Sequence, residues 1–125
     1  MIAGIGIDLI EVERVAGKIA KPGFKELAFT PAEIAYCEKT PNAAEGFAAR
    51  FAAKEAFFKA IGTGWMGHFN LRDVEIRNNA AGSPEIHLHG KVKDWAAEHR
   101  LARILVSLTH LKTVAGAVVV VEKEP

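Results

Sequence analysis

A chain of 125 residues fits one compact domain, residues 1–125, and leaves little room for a second. Half of the residues are hydrophobic and a quarter charged, which excludes a disordered chain; 16 basic and 15 acidic side chains give a net charge of +1, which argues against nucleic acid as a partner. The single cysteine, Cys37, allows neither an intrachain disulfide nor a cysteine zinc site, and no apolar run approaches the roughly 20 residues that span a bilayer.

The chain opens on residues 2–9, apolar and glycine-rich, with no basic leader region. A cytoplasmic protein with no membrane partner is therefore expected. Alternation makes these residues a buried strand with Gly4, Gly6 and Asp8 on one face and Ala3, Ile5, Ile7 and Leu9 on the other. The Asp8 face is nearly bare, so another backbone or a ligand could approach it closely. A short helix over 11–20 runs into Pro22-Gly23. Thr30-Pro31-Ala32-Glu33 has the chemistry of a capped helix start, and Asn42-Ala43-Ala44-Glu45 opens the main helix in a similar way. Gly62 ends that helix, and Gly62-Thr63-Gly64-Trp65-Met66-Gly67 reads as a flexible connection.

Strands over 71–77 and 84–89 flank Asn78-Asn79-Ala80-Ala81-Gly82-Ser83, which has hairpin composition. A helix over 91–100 and strands over 102–109 and 114–122 complete an α+β pattern: one small domain with a sheet packed on a long helix. Val118-Val119-Val120-Val121 lacks polar alternation, predicting a strand buried on both faces, central in its sheet or covered by a partner subunit.

The main helix concentrates the chemistry. Phe47, Phe51, Phe58 and Ile61 form an apolar stripe at about 100° per residue, and Lys54 falls inside it, where an ammonium must snorkel or find an anion. Glu55 and Lys59 stand at i, i+4 on one flank. By spacing alone they are either a surface pair or part of an anion site, with Glu55 on a hard metal ion and Lys59 and Lys54 on phosphate. Arg50 could reach the same anion or cap the edge of the core. Asp8 offers a turn-forming carboxylate or a metal ligand. His110, at a turn after an apolar strand, is either solvated or in contact with phosphate or a proton in transfer. His87 and His89 share a strand face without a third ligand. Gly62-Thr63-Gly64 matches neither dinucleotide nor P-loop fingerprints.

The order of the blocks carries more than any one of them. Gly4-Ile5-Gly6-Ile7-Asp8-Leu9-Ile10-Glu11, Arg50-Phe51-Ala52-Ala53-Lys54-Glu55-Ala56-Phe57-Phe58-Lys59-Ala60 with Ile61-Gly62-Thr63-Gly64, Asp73-Val74-Glu75-Ile76, Gly82-Ser83-Pro84 and Ser107-Leu108-Thr109-His110 follow one another. This succession resembles the small bacterial holo-[acyl-carrier-protein] synthases of the 4′-phosphopantetheinyl transferase superfamily, over nearly the whole chain. The family's last block usually reads Ser-Ile-Ser-His; here Leu108 and Thr109 keep an apolar residue and a hydroxyl.

The resemblance implies transfer of 4′-phosphopantetheine from coenzyme A to a serine of apo-acyl carrier protein, in a homotrimer with coenzyme clefts between subunits. It implies Mg2+ on Asp8 and Glu55, and Lys59 near the transferred phosphate. Arg50, Lys54 and His110 are implied to line the coenzyme cleft. The serine proton would pass to Glu55 or to water held by it, with His110 as the alternative base. Arg14, Lys18, Lys21 and Lys25 fall on one face if the helix continues through Pro22-Gly23, either solvated or docking an acidic carrier protein, with Phe24 as an apolar anchor. A phosphohydrolase using Asp8, Glu55 and His110, and a non-catalytic interaction module with a basic helix, are the competing readings.

Overall fold

The computed structural model describes residues 1–62 and 69–125; the expected connection after Gly62, and His68, lie outside them. Strand β1 (Ile2–Glu11) leads directly into helix α1 (Val12–Ile19). The chain breaks at Pro22-Gly23, where Gly23 takes a φ of 85°, before the single helical turn α2 (Phe24–Ala28). Helix α3 (Pro31–Glu38) has the expected capping box: the Thr30 hydroxyl accepts from the Glu33 N–H while the Glu33 carboxylate accepts from the Thr30 N–H.

Helix α4 (Ala43–Ile61) is the axis of the molecule. Its end follows the expectation, with Gly62 in the left-handed region at φ 79° and its N–H bonded to the Phe58 carbonyl. Its start differs. Asn42 makes no side-chain cap, and the Glu45 carboxylate reaches His110 instead of closing a capping box. The four-residue stripe read from the sequence understates its burial. Phe47, Phe51, Phe57 and Phe58 are buried, and so are Ala48, Ala52, Ala53, Ala56 and Ala60.

After a 3-10 turn (Leu71–Asp73), β2 (Val74–Asn78) and β3 (Pro84–Leu88) form an antiparallel hairpin. The expected strand over 71–77 begins only at Val74, because the Leu71 and Val74 carbonyls turn towards the Lys54 ammonium. Helix α5 (Gly90–Glu98) precedes β4 (Leu101–His110) and β5 (Val114–Lys123). The main sheet is antiparallel, ordered β1-β5-β4.

One face of that sheet lies on α4, burying Ala115, Ala117, Val119 and Val121 of the central strand. The approach is close because β1 has no side chains there. A Cβ on Gly4 or Gly6 would run into the carbonyl oxygen of Ala60 or Ala56, so strand and helix meet backbone to backbone. The valine run is central in its sheet, as expected, but its other face is not fully buried. Val118 and Val120 are half-buried, beside Ile5, Ile7 and Leu9, each about 70% exposed. Cross-strand pairing aligns Ile5, Val120 and Leu105 in one row of this face, and Ile7 with Val118 in the next.

Candidate active site

The bare face of β1 and the flank of α4 place two carboxylates together. Asp8 and Glu55, 47 positions apart in the chain, line one depression of about 400 Å³ with Arg14, Lys18 and Phe51. Lys59, one helical turn beyond Glu55, reaches across to β1, donating to Asp8 Oδ1 at 3.0 Å and to the Ile7 carbonyl at 3.0 Å. Its side chain is half exposed, whereas that of Asp8 is largely covered. The third ammonium N–H remains available to an anion. Among the described residues no group of three or more His, Cys, Asp or Glu side chains is arranged to hold a metal ion. A metal held here would take two carboxylates and draw its other ligands from water or phosphate. Hard oxygen donors in that number suit Mg2+.

Lys18 guards the rim of this depression. Its ammonium lies 5.7 Å from the Phe24 ring centre and 5.5 Å from that of Phe51, a cation–π arrangement that limits its reach and holds its charge beside the carboxylates.

A second depression, of about 610 Å³, lies between the start of α4, the β2–β3 hairpin and β4, and contains Arg50 and His110. Arg50 is almost fully buried. Its guanidinium stacks 4.3 Å from the Tyr36 ring centre and donates to Asn78 Oδ1 at 2.7 Å, while its Nε has no hydrogen-bond partner. The enclosed Nε is a cost to the fold, while the positive charge of the guanidinium beside the depression favours an anion there. His110, half exposed, bonds through Nδ1 to Glu45 Oε1 at 3.0 Å. The Gly82-Ser83-Pro84 segment forms a wall, held by Asn79 Oδ1, which accepts from the Ala81 and Ser83 N–H groups.

The sequence-based set is thus divided. Asp8, Glu55, Arg14 and Lys18 share one depression, with Lys59 bonded to Asp8; Arg50 and His110 belong to the other. Three expectations need correction. Lys54 is not a coenzyme-cleft residue: it is fully buried, and its three N–H donors go to Glu33 Oε1 at 2.9 Å and to the Leu71 and Val74 carbonyls at 2.9 and 2.6 Å. Burial pushes its pKa below the ordinary lysine range, against the opposing charge of Glu33. Lys25 does not extend the α1 stripe, because the chain turns at Gly23 and Lys25 pairs with Glu38 at 2.6 Å. Phe24 is part-buried against the core, its ring centre 6.4 Å from that of Phe51, and Leu27 is the exposed apolar residue of α2.

Sequence reasoning also missed the acids behind the site. Glu33 was visible only as a capping residue, yet it is fully buried, and its second oxygen accepts from the Ile76 N–H at 2.9 Å. Glu75 is buried beside it. Burial works against its charge, but hydrogen bonds from Thr30, His89 and Arg77 outweigh that and hold its carboxyl at about 2. The one available signal was Lys54 itself, an ammonium in an apolar stripe that required a partner.

Residues 4–118 match the family described as the 4′-phosphopantetheinyl transferase superfamily, and the chain belongs to it. A holo-[acyl-carrier-protein] synthase of Solibacter usitatus is 43% identical, the match spanning 98% of this chain and 99% of that one. The crystal structure of the Neisseria meningitidis holo-[acyl-carrier-protein] synthase superposes with a TM-score of 0.89 at 34% identity, over 98% of this chain and all of that one. A Bacillus anthracis holo-(acyl-carrier-protein) synthase, solved in complex with CoA (3′,5′-ADP), gives 0.81 at 35% identity over 99% of both chains.

Proposed function

We propose that the chain moves 4′-phosphopantetheine from coenzyme A onto a serine hydroxyl of apo-acyl carrier protein, releasing 3′,5′-ADP. The observation that carries this reading is the meeting of Asp8 and Glu55 in one depression, with Lys59 bonded to Asp8. The match to named synthases over almost the full chain, one of them bound to the coenzyme, supports it.

Asp8 and Glu55 would hold Mg2+, which would supply charge withdrawal from the coenzyme diphosphate. The serine oxygen forms a bond to the β-phosphorus, and the bond from that phosphorus to the bridging oxygen breaks. The bridging oxygen leaves with 3′,5′-ADP. Glu55, directly or through a water, accepts the serine proton. Lys59 is oriented by Asp8 and the Ile7 carbonyl and offers its remaining N–H to charge gathering on phosphate oxygen. Arg50 and His110 hold the coenzyme in the second depression, where the Arg50 charge supports an anionic ligand. Arg14, Lys18 and Lys21 form the docking face for an acidic carrier protein, and Leu27 of α2 offers an exposed apolar side chain.

The assembly is a homotrimer in which the first depression of one subunit and the second of its neighbour complete one coenzyme cleft. The exposed row of Ile5, Ile7, Leu9 and Leu105 supports self-association, since a monomer rarely leaves so large an apolar sheet face to water. Among the described residues no helix is long and apolar enough to cross a membrane. Cytoplasmic residence agrees with the one buried, unpaired cysteine.

The test mixes the protein with coenzyme A, Mg2+ and apo-acyl carrier protein and weighs the carrier by mass spectrometry. The carrier gains one phosphopantetheine per serine. Folded Asp8→Ala and Glu55→Ala variants each lose at least about a hundredfold in turnover. Coenzyme consumption without carrier would instead identify a hydrolase, and full turnover in either variant would remove that residue from the site.

A further inference from the structure

The second depression holds one acidic residue where an anionic ligand is expected. Among its described lining residues, Arg50 and His110 can carry positive charge and Glu45 is the acid. A carboxylate facing phosphate repels it unless its charge is already engaged. Glu45 is largely buried, and its Oε1 lies 3.0 Å from His110 Nδ1. Glu45 belongs to the first turn of α4 and His110 to the last residue of β4, so the contact joins two elements that both border the depression.

We infer that Glu45 is a positioning residue: it accepts a hydrogen bond from His110 Nδ1–H and thereby fixes the imidazole so that Nε2 faces the coenzyme. A carboxylate on Nδ1 keeps a proton there and turns the opposite edge of the ring towards the ligand, where Nε2 binds phosphate by donating its own proton. The same bond engages the Glu45 charge, converting a repulsive group into an orienting one. His110 then serves binding rather than proton transfer, and a partly exposed ring gains a single orientation. This inference rests on the transferase reading for the identity of the ligand, but the Nδ1 contact stands without it.

The consequence is a reversal of sign that a purely structural role for Glu45 does not produce. With His110 present, Glu45→Ala frees the ring and raises KM for coenzyme A about tenfold, the scale of a hydrogen bond between charged groups, with kcat within about twofold. In a His110→Ala background the carboxylate has lost its partner and faces the ligand. Removing it there lowers KM, by about threefold for a partly screened like charge. Glu45→Gln keeps an acceptor for Nδ1–H and stays within about threefold of the parent KM, because a neutral bond retains part of the orientation.

The experiment compares the parent, Glu45→Ala, Glu45→Gln, His110→Ala and Glu45→Ala/His110→Ala proteins by coenzyme A kinetics, with circular dichroism to check that each is folded. Nitrogen-15 spectra of the His110 ring are recorded on the parent and Glu45→Ala proteins. The expected result is the sign reversal in KM, together with a proton held on Nδ1 in the parent and exchanging in Glu45→Ala. A parent ring with no proton on Nδ1, or additive effects of the two alanine substitutions, would overturn the inference. If the parent moves no phosphopantetheine at all, the functional reading fails, while the ring spectra still decide the contact.

Discussion

Replacing Lys54 by methionine separates a folding role from a binding role. The change keeps the length of the side chain and removes only the ammonium. Three acceptors lose their donor: Glu33 Oε1 and the carbonyls of Leu71 and Val74. Removing one partner of a buried ion pair typically costs about 3–5 kcal/mol, because the other charge stays behind in a low-dielectric site. Glu33 keeps the N–H groups of Thr30 and Ile76, both at 2.9 Å, so the low end, about 3 kcal/mol, applies to the pair itself. The two carbonyls add to that, since an unsatisfied buried acceptor costs about 1–3 kcal/mol before the site relaxes.

A domain of this size has roughly 5–15 kcal/mol in total, so Lys54→Met removes a large share of the stability. Urea denaturation, at one protein concentration because assembly contributes to the midpoint, measures it. Adding Glu33→Gln removes the stranded charge and restores at least about half of the loss. In whatever fraction remains folded, KM for coenzyme A stays within about threefold of the parent, because Lys54 has no free donor for the ligand. A Lys54→Met protein within about 1 kcal/mol of the parent, yet bound to coenzyme A tenfold more weakly, would refute this reasoning.

Changes at four other positions address the rest of the molecule. Glu75 has its carboxyl lowered from the ordinary 4.5 to about 2, so its contribution is complete above pH 4.5 and is lost as pH falls through 2. Glu75→Gln therefore flattens the acid limb of stability against pH, where the parent changes by about 3 kcal/mol; an unchanged limb would show that the carboxylate is not held by its three donors. Ile7→Asp places a charge in the middle of the exposed sheet face, and sedimentation is expected to show a smaller species than the parent. An unaltered assembly would mean that another surface joins the subunits. Reversing charge at Arg14 and Lys18 lowers the association rate with carrier protein by about tenfold or more at low salt and weakens its salt dependence. Stopped-flow rates equal to the parent's would exclude α1 as the docking helix.

The parts of this molecule that depend on near neighbours were legible in the sequence. The capping box at Thr30 and Glu33, the stop at Gly62 and the hairpin around Gly82 are each fixed within a few residues, and the structure reproduces them. Positions that depend on distant partners were less so. Lys54 announced a need for an anion, but only tertiary packing makes that anion Glu33, whose local role as a cap concealed it. Arg50 and Glu55 are five residues apart on one helix, and spacing left Arg50 either on a shared anion or at the core edge; the two line different depressions. The break at Gly23 likewise turns Lys25 towards Glu38, a redirection that no periodicity could reveal. Recognition of the block order supplied the convergence of Asp8 with Glu55, which spacing could only allow.

The contact of Gly4 and Gly6 with the Ala60 and Ala56 carbonyls bears on how finely the two acids are spaced. Asp8 rides on the strand and Glu55 on the helix, so their separation is ruled by main-chain atoms in touch, not by side chains that can repack. Two absent methyl groups act as a gauge. A single alanine at either glycine would wedge the layers apart and carry the acids with them, even though neither position touches a ligand.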